Sequence, residues 1–209
     1  MSRYRGPKIR IIRRLGELPG LTSKTTNRDS LPGQHGKSQI GGKSPAKKLS
    51  QYGIRLQEKQ KLRYNYGINE RQLIKYVRQA KKLKGSTGEV LLQLLEMRLD
   101  NVIFRLGFAP TIAAARQAIT HGHFLINSDR VTIPSYQCKP TEVITISNRK
   151  KSRELISTCL KTTPQQNIPS HLQIDKQNFS GTINSLINRK SVGIQLNELL
   201  VVEYYSRKV

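Results

Sequence analysis

The sequence predicts an α+β protein: a mostly helical basic domain with an extended N-terminal arm, plus an inserted small unit made of a helix pair and a small antiparallel sheet. Three observations carry this. Apolar residues recur at the helical period from residue 54 to about residue 120, then alternate with period two across residues 124–146. Residues 1–43 show no sustained period. Charge is uneven too: residues 1–84 carry 22 Lys and Arg against 4 acids, a net of +18, while residues 85–209 carry 15 against 9, a net of +6.

In the arm, Arg10, Arg13 and Arg14 cluster, and Pro7, Pro19 and Pro32 break any long element. Such a segment repels itself and has little apolar surface to bury, so it is expected to stay disordered until phosphates neutralise it. Ser44-Pro45 reads as a helix start, with Gly53 as its stop. Residues 54–66 form the next helix, where Leu56, Leu62 and Tyr66 are apolar and Arg55, Lys59 and Arg63 form a basic stripe. Asn69 caps a third helix running to Lys84, with Leu73, Ile74, Val77 and Ala80 on one face and Arg71, Lys75, Arg78 and Lys82 on the other. Ser86-Thr87-Gly88-Glu89 has the capping-box pattern and opens an apolar helix through Leu95. The period continues through Leu99, Val102, Ile103 and Leu106, after a break near Leu99-Asp100. Thr111 caps a short helix that stops at Gly122. Residues 124–126 and 130–133 make a hairpin and residues 142–146 a third strand. Residues 148–153 are a basic exit and 161–170 a loop. Short strands are expected around 172–175, 179–183 and 192–194, and Asn197 caps a final helix reaching Tyr204 or Tyr205.

The formal charge of +24 points to polyanions, nucleic acid first, an anionic membrane second and an acidic protein third. No stretch approaches 18 apolar residues, so no membrane helix is expected. Cys138 and Cys159 are two cysteines, too few for a disulfide framework, and read as free thiols. Gly41-Gly42-Lys43-Ser44 lacks the earlier glycine of a phosphate loop, because Lys37 stands there. His35, His121, His123 and His171 form no triad spacing, the His and Cys spacing matches no common zinc module, and the acids are scattered. Neither an enzyme, a cofactor nor a metal is expected.

One set of ordered short motifs is more specific. It runs from Arg3-Tyr4 with Gly6-Pro7-Lys8, through Pro32-Gly33-Gln34-His35-Gly36, Tyr52-Gly53, Glu58-Lys59-Gln60-Lys61, Tyr66-Gly67 and Glu70-Arg71-Gln72, to Leu83-Lys84-Gly85 and Thr87-Gly88-Glu89. It continues with Arg98-Leu99-Asp100-Asn101-Val102, Arg105, Gly107-Phe108, Ala115-Arg116-Gln117, His121 and Asn127, and closes on Asn197-Glu198, Glu203 and Tyr205-Ser206. In this order the motifs resemble the ribosomal protein S4 family of bacterial type over the whole chain. Ile168-Pro169-Ser170-His171 and the stretch from Gln195 to Leu200 look most like its plastid-encoded branch, with a bacterial cytoplasmic origin second. The likeness begins at Met1, so no cleavable transit segment is expected ahead of it. Two departures stand out. Some relatives hold a metal or iron–sulfur cluster with N-terminal cysteines, whereas residues 1–137 here contain none. The hairpin turn often reads Asn-Gly and here reads Asn127-Ser128, which puts its geometry in doubt because Ser tolerates positive φ poorly.

The resemblance implies a structural constituent of the small (30S) ribosomal subunit, placed in the chloroplast stroma. It implies binding to 16S rRNA, nucleation of the subunit body, contact with the fifth small-subunit protein and other 30S proteins, a seat near the side where mRNA enters, and a part in translational accuracy. No membrane and no homo-oligomer are implied. Residues 1–43 would be the rRNA-binding arm, 44–97 a helical domain completed by 161–209, and 98–160 the S4 RNA-binding module. Expected rRNA contacts in the first half are Arg3, Arg5, Lys8, Arg10, Arg13, Arg14, His35, Lys43, Lys47, Lys48, Arg55, Lys59, Lys61, Arg63 and Arg71. Those in the module are Arg98, Arg105, Arg116, Gln117, His121, His123 and Asn127. For Arg98 and Arg105 an ion pair with Glu96 or Asp100 stays open, and for each arm residue plain solvation does. Glu198, Leu199, Val202, Glu203 and Tyr204 are the expected protein-partner surface, although Leu199, Val202 and Tyr204 also suit an internal core. An RNA-modifying enzyme sharing the module would need a catalytic domain with a placed Asp, and no segment is free for one. A membrane-surface protein would need a wide apolar helix face, and that of residues 54–84 is better used in a core.

Overall fold

A computed structural model of the protein describes residues 4–28, 30–33, 50–162, 168–175 and 177–206. The expectations on Arg3, His35, Gly41–Ser44, Pro45, Lys47 and Lys48 lie outside the described residues.

The helices in the first half are α1 (Lys8–Leu15), α2 (Gln51–Asn65), α3 (Glu70–Lys82) and α4 (Thr87–Glu96). Next come α5 (Leu99–Arg105) and α6 (Ile112–Thr120), then strands β1 (Phe124–Ile126), β2 (Asp129–Arg130) and β3 (Val143–Ile146). After them follow α7 (Lys150–Thr162), β4 (Leu172–Asp175), β5 (Ser180–Ile183), a 3₁₀ turn over Arg189–Ser191 and α8 (Glu198–Ser206).

Two cores organise these elements. The first collects Leu62 and Tyr66 of α2, Leu73, Val77 and Ala80 of α3, Leu91, Leu92 and Leu95 of α4, and Val201 and Tyr205 of α8. Burying each such large apolar side chain contributes roughly 1.5–3 kcal/mol. The second lies between the α5–α6 pair and an antiparallel sheet of order β2-β1-β3-β5-β4. Phe124 pairs with Ile146 and Ile126 with Ile144, so the alternating apolar side chains share the face that meets the helices. Gly181 sits where that sheet meets α5, and a Cβ there would lie 2.5 Å from Leu106 Cδ1.

Several helix signals hold. Asn69 Oδ1 accepts from Gln72 N at 2.8 Å and Gln72 answers at Asn69 N, a complete capping box. Thr111 Oγ1 caps α6 through Ala114 N, and Asn197 Oδ1 accepts from Leu199 N. Cys138 is a buried free thiol.

Others are corrected. The arm is not wholly extended: α1 forms there, and Ile11, Leu18 and Leu21 supply enough apolar surface to join the first core. Gly53 does not stop a helix; its N–H donates to the Ser50 cap inside the first turn of α2. Ser86 makes no side-chain cap bond, so the expected capping box at α4 is absent. The basic exit is the start of α7, which buries Ser152 and Ile156. Residues 192–194 form no strand, and α3 ends at Lys82. Asn127 and Ser128 both take positive φ, 48° and 77°, as a two-residue hairpin turn between paired Ile126 and Asp129 requires. The sheet and second core also run on through Leu172 and Ile183, beyond the boundary expected at residue 160.

Candidate nucleic-acid interface

The seam between the two cores consumes the three module arginines expected to face RNA. Arg98 is 1% exposed; its Nε and Nη2 donate to Asp100 at 3.1 and 2.9 Å, and Nη1 donates to the Tyr76 hydroxyl. Arg105 grips Glu96 with Nε and Nη2 at 3.1 and 2.8 Å. Glu96 also accepts from the Tyr66 hydroxyl at 2.5 Å and from Asn101. Arg116 spans both units: Nε donates to Asp100 at 2.6 Å, while Nη1 and Nη2 donate to the carbonyls of Gly67 and Tyr66. Burial alone would raise the Glu96 carboxyl, but the Arg105 charge and the donated hydrogen bonds hold it below the usual carboxylate range. Burial, reinforced by the Glu96 charge, pushes Tyr66 well up. Arg98, Arg105 and Arg116 therefore hold the units together, with their guanidinium groups engaged by internal partners. The legible signal was the pair of acids, Glu96 and Asp100, set inside the most apolar stretch of the chain.

Other expected contacts are also engaged internally. Lys59, 4% exposed, binds Glu70 at 3.0 Å and lies 4.8 Å from the Tyr204 ring centroid. Arg55 meets Glu203 at 2.7 Å and Lys61 meets Glu58 at 2.6 Å. Arg13 is spent on the Ser30 and Leu31 carbonyls and the Ser30 hydroxyl. Lys8 donates to the Leu21 carbonyl at 3.1 Å, and the Arg63 guanidinium covers the Tyr64 ring at 4.6 Å. Asn127 accepts from Val143 N at 3.0 Å, a turn role.

The expected contacts that remain exposed fall in three groups. Arg5, Arg10 and Arg14 stand on and beside α1. Arg71 continues into Lys75, Arg78 and Lys82 along the outer face of α3, at spacings that align on one side of a helix. On the module, Gln117 and His121 are exposed, and His123 lies 5.9 Å from His121 between ring centroids. The ring of His123 shares a 2.8 Å hydrogen bond with Ser152 at the start of α7. Arg130 joins them by donating to the His121 carbonyl at 3.2 Å. Its guanidinium lies where a Cβ at residue 122 would be, and Gly122 has φ +71°. Burial lowers the His123 pKa, and the charges of His121, Arg149 and Arg130 lower it further. Arg130, Arg149, Lys150, Lys151 and Arg153 are exposed as well and are not among the contacts expected from the sequence. Their signal was the run from Asn148 to Arg153 beside a hairpin, read as a basic exit.

The expected protein-partner surface divides. Glu198 pairs with Arg189 at 2.9 Å and Glu203 with Arg55. Tyr204 belongs to the first core, packed at 5.1 Å against Tyr205, which corrects its assignment to the surface. Leu199 is 62% exposed and Val202 half-buried. Among the described residues no group of His, Cys, Asp and Glu could hold a metal ion, and no helix is long and apolar enough to cross a membrane.

Cations presented on helices and beside a hairpin suit phosphate and 2′-hydroxyl contacts on structured RNA. Residues 3–96 match the profile of the ribosomal protein S4/S9 N-terminal domain, and residues 97–144 match that of the S4 domain. The chain is 63% identical to "Small ribosomal subunit protein uS4c" of Oltmannsiellopsis viridis over 99% of its length and all of the relative's. It is 61% identical to the protein of that name in Rhodomonas salina over the full length of both. It is 56% identical to "Small ribosomal subunit protein uS4" of Thermosynechococcus vestitus, also over the full length of both. Together with a helical basic unit joined to a helix-pair-and-sheet module, these matches show that the chain belongs to the ribosomal protein S4 family.

Proposed function

We propose that this chain is a structural, non-enzymatic constituent of the small subunit of the plastid ribosome, binding 16S rRNA directly and nucleating assembly of the subunit body. The observation that carries the reading is the exposure of cations on α1, on α3 and at the His123–Arg130 cluster while a buried network fixes the two units together. A shape-specific RNA site needs that rigidity, since flexible cations bind without selecting a fold. Full-length relatives that carry the chloroplast-type name uS4c support the plastid; relatives named uS4 make a bacterial cytoplasm the second choice. Contact with the fifth small-subunit protein and a part in translational accuracy belong to the same proposal. The exposed Leu199 and the edge of α8 are the surface offered to it, and a seat near incoming mRNA is part of it.

The test is crosslinking of the full chain to RNA from its own extract across a salt titration. Enrichment of one region of small-subunit rRNA is expected, with a log–log salt slope near −7 for roughly 8 phosphates. Scattered RNAs without a preferred site would sink the reading.

A further inference from the structure

A groove of about 300 Å³ opens where the N-terminal segment, the α2–α3 corner and α6 meet. Its wall is mostly apolar, with Leu21, Ile68 and Ile112, and contains no carboxylate side chain. Tyr4, 42% exposed, stands against Tyr64 with ring centroids 5.3 Å apart and planes at 76°. The Arg63 guanidinium lies on the Tyr64 ring, and Lys8 is tied to the Leu21 carbonyl beside them. The groove thus presents aromatic rings and a guanidinium plane within a cationic surround.

We infer that this groove takes one unpaired nucleobase, extruded from the bound RNA and stacked in the Tyr4–Tyr64–Arg63 corner. The inference rests on the RNA-binding reading above. A flat, uncharged heterocycle matches a mostly apolar slot, while the exposed Arg5 and Arg71 match the phosphates it must bring with it. RNA-binding proteins read splayed bases in this way, on aromatic rings and arginine planes. The groove is large enough for a base, and exposed Arg5 and Arg71 border it in sequence, next to Tyr4 and two residues past Asn69. A base is favoured over an apolar peptide because every charged lining residue is a cation.

The experiment measures binding of the full chain to a small-subunit rRNA transcript across a salt series, with chemical probing of Watson–Crick edges. Tyr4→Leu removes the ring and Tyr4→Phe keeps it. Tyr4→Leu is expected to weaken binding roughly 5- to 150-fold, the loss of one base–aromatic stack, without changing the salt slope. One nucleotide shielded by the wild type and by Tyr4→Phe should become reactive with Tyr4→Leu, at an unaltered melting temperature. Equal affinity and an identical shielding map for Tyr4→Leu would overturn the groove assignment while leaving RNA binding intact. A weaker complex with no change in the shielding map would overturn it as well. Competition by free adenosine monophosphate at sub-millimolar concentration would make this a nucleotide site instead. A wild-type chain that shows no preference for the transcript would overturn the RNA-binding reading, and the groove assignment with it.

Discussion

A buried arginine and an exposed one do opposite work in this protein, and substitution separates them. Removing Arg105 leaves Glu96 ionised, buried and unpaired, which costs about 3–5 kcal/mol. Arg105→Ala should therefore shift the denaturation midpoint strongly and change RNA affinity only through misfolding. Arg71→Ala touches an exposed cation, so stability should move by less than about 0.5 kcal/mol. Its signature is a salt slope for RNA binding that is shallower by about one. Sequence alone left two readings of Arg105 open, an rRNA contact or an ion pair with Glu96 or Asp100. The sorting depends on which carboxylates the fold brings to each side chain. If the proposed RNA face includes His123, that contact is pH-dependent. Its pKa is depressed in the free protein by burial and by His121, Arg149 and Arg130, and a phosphate nearby would offset that repulsion. The bound pKa then exceeds the free one, so binding takes up a proton. Affinity should rise as pH falls from about 7 toward 5.5, and His123→Gln should flatten the trend in a binding titration at fixed salt.

Elements were most legible where a local cap and a long apolar period agreed, and illegible where both were missing. The α3 helix had both, Asn69 with Gln72 and the face Leu73, Val77, Ala80. Asn69→Ala should cost about 1 kcal/mol in urea unfolding. Ser86→Ala, at a cap position whose side chain makes no hydrogen bond, should be near neutral. The α7 helix opens with Lys150, Lys151, Ser152 and Arg153 and offers only Ile156 as a fully buried apolar side chain, so no period announced it. It forms because Ile156 packs on the second core and Ser152 meets His123, contacts distant in sequence. The α1 helix was hidden differently: its one buried face, Ile11 and Ile12, is flanked by prolines and arginines that look like a loop.

For the whole molecule, the question is how two small cores behave as one body. Arg116 ties α6 to the end of α2 while also holding Asp100, and Arg105 ties α5 to Glu96 of α4. The acid response of this joint can be predicted. His171 is buried with neither ring nitrogen hydrogen-bonded among the described residues, and burial lowers its pKa below 6.5. A depressed pKa means the native state resists taking up the proton, so stability is complete above about pH 6.5 and begins to fall below it. Glu96 and Glu198 are held below 4.5, by Arg105 against the effect of burial in one case and by Arg189 in the other. Their contribution is present above pH 4.5 and lost beneath it, which gives a second, steeper decline. Melting temperature against pH should therefore show a plateau near neutrality, a shallow shoulder from about pH 6.5 and a fall from about pH 4.5. His171→Leu should remove the shoulder and leave the fall. A shoulder that survives the substitution would place the first titration elsewhere, with His123 the next group to replace. Because His171 lies near both Glu96 and Arg105, the proton it resists would enter at the joint. Acid should thus uncouple the two units before it unfolds either, and amide exchange at pH 5.5 should rise first in the β4 segment that follows His171.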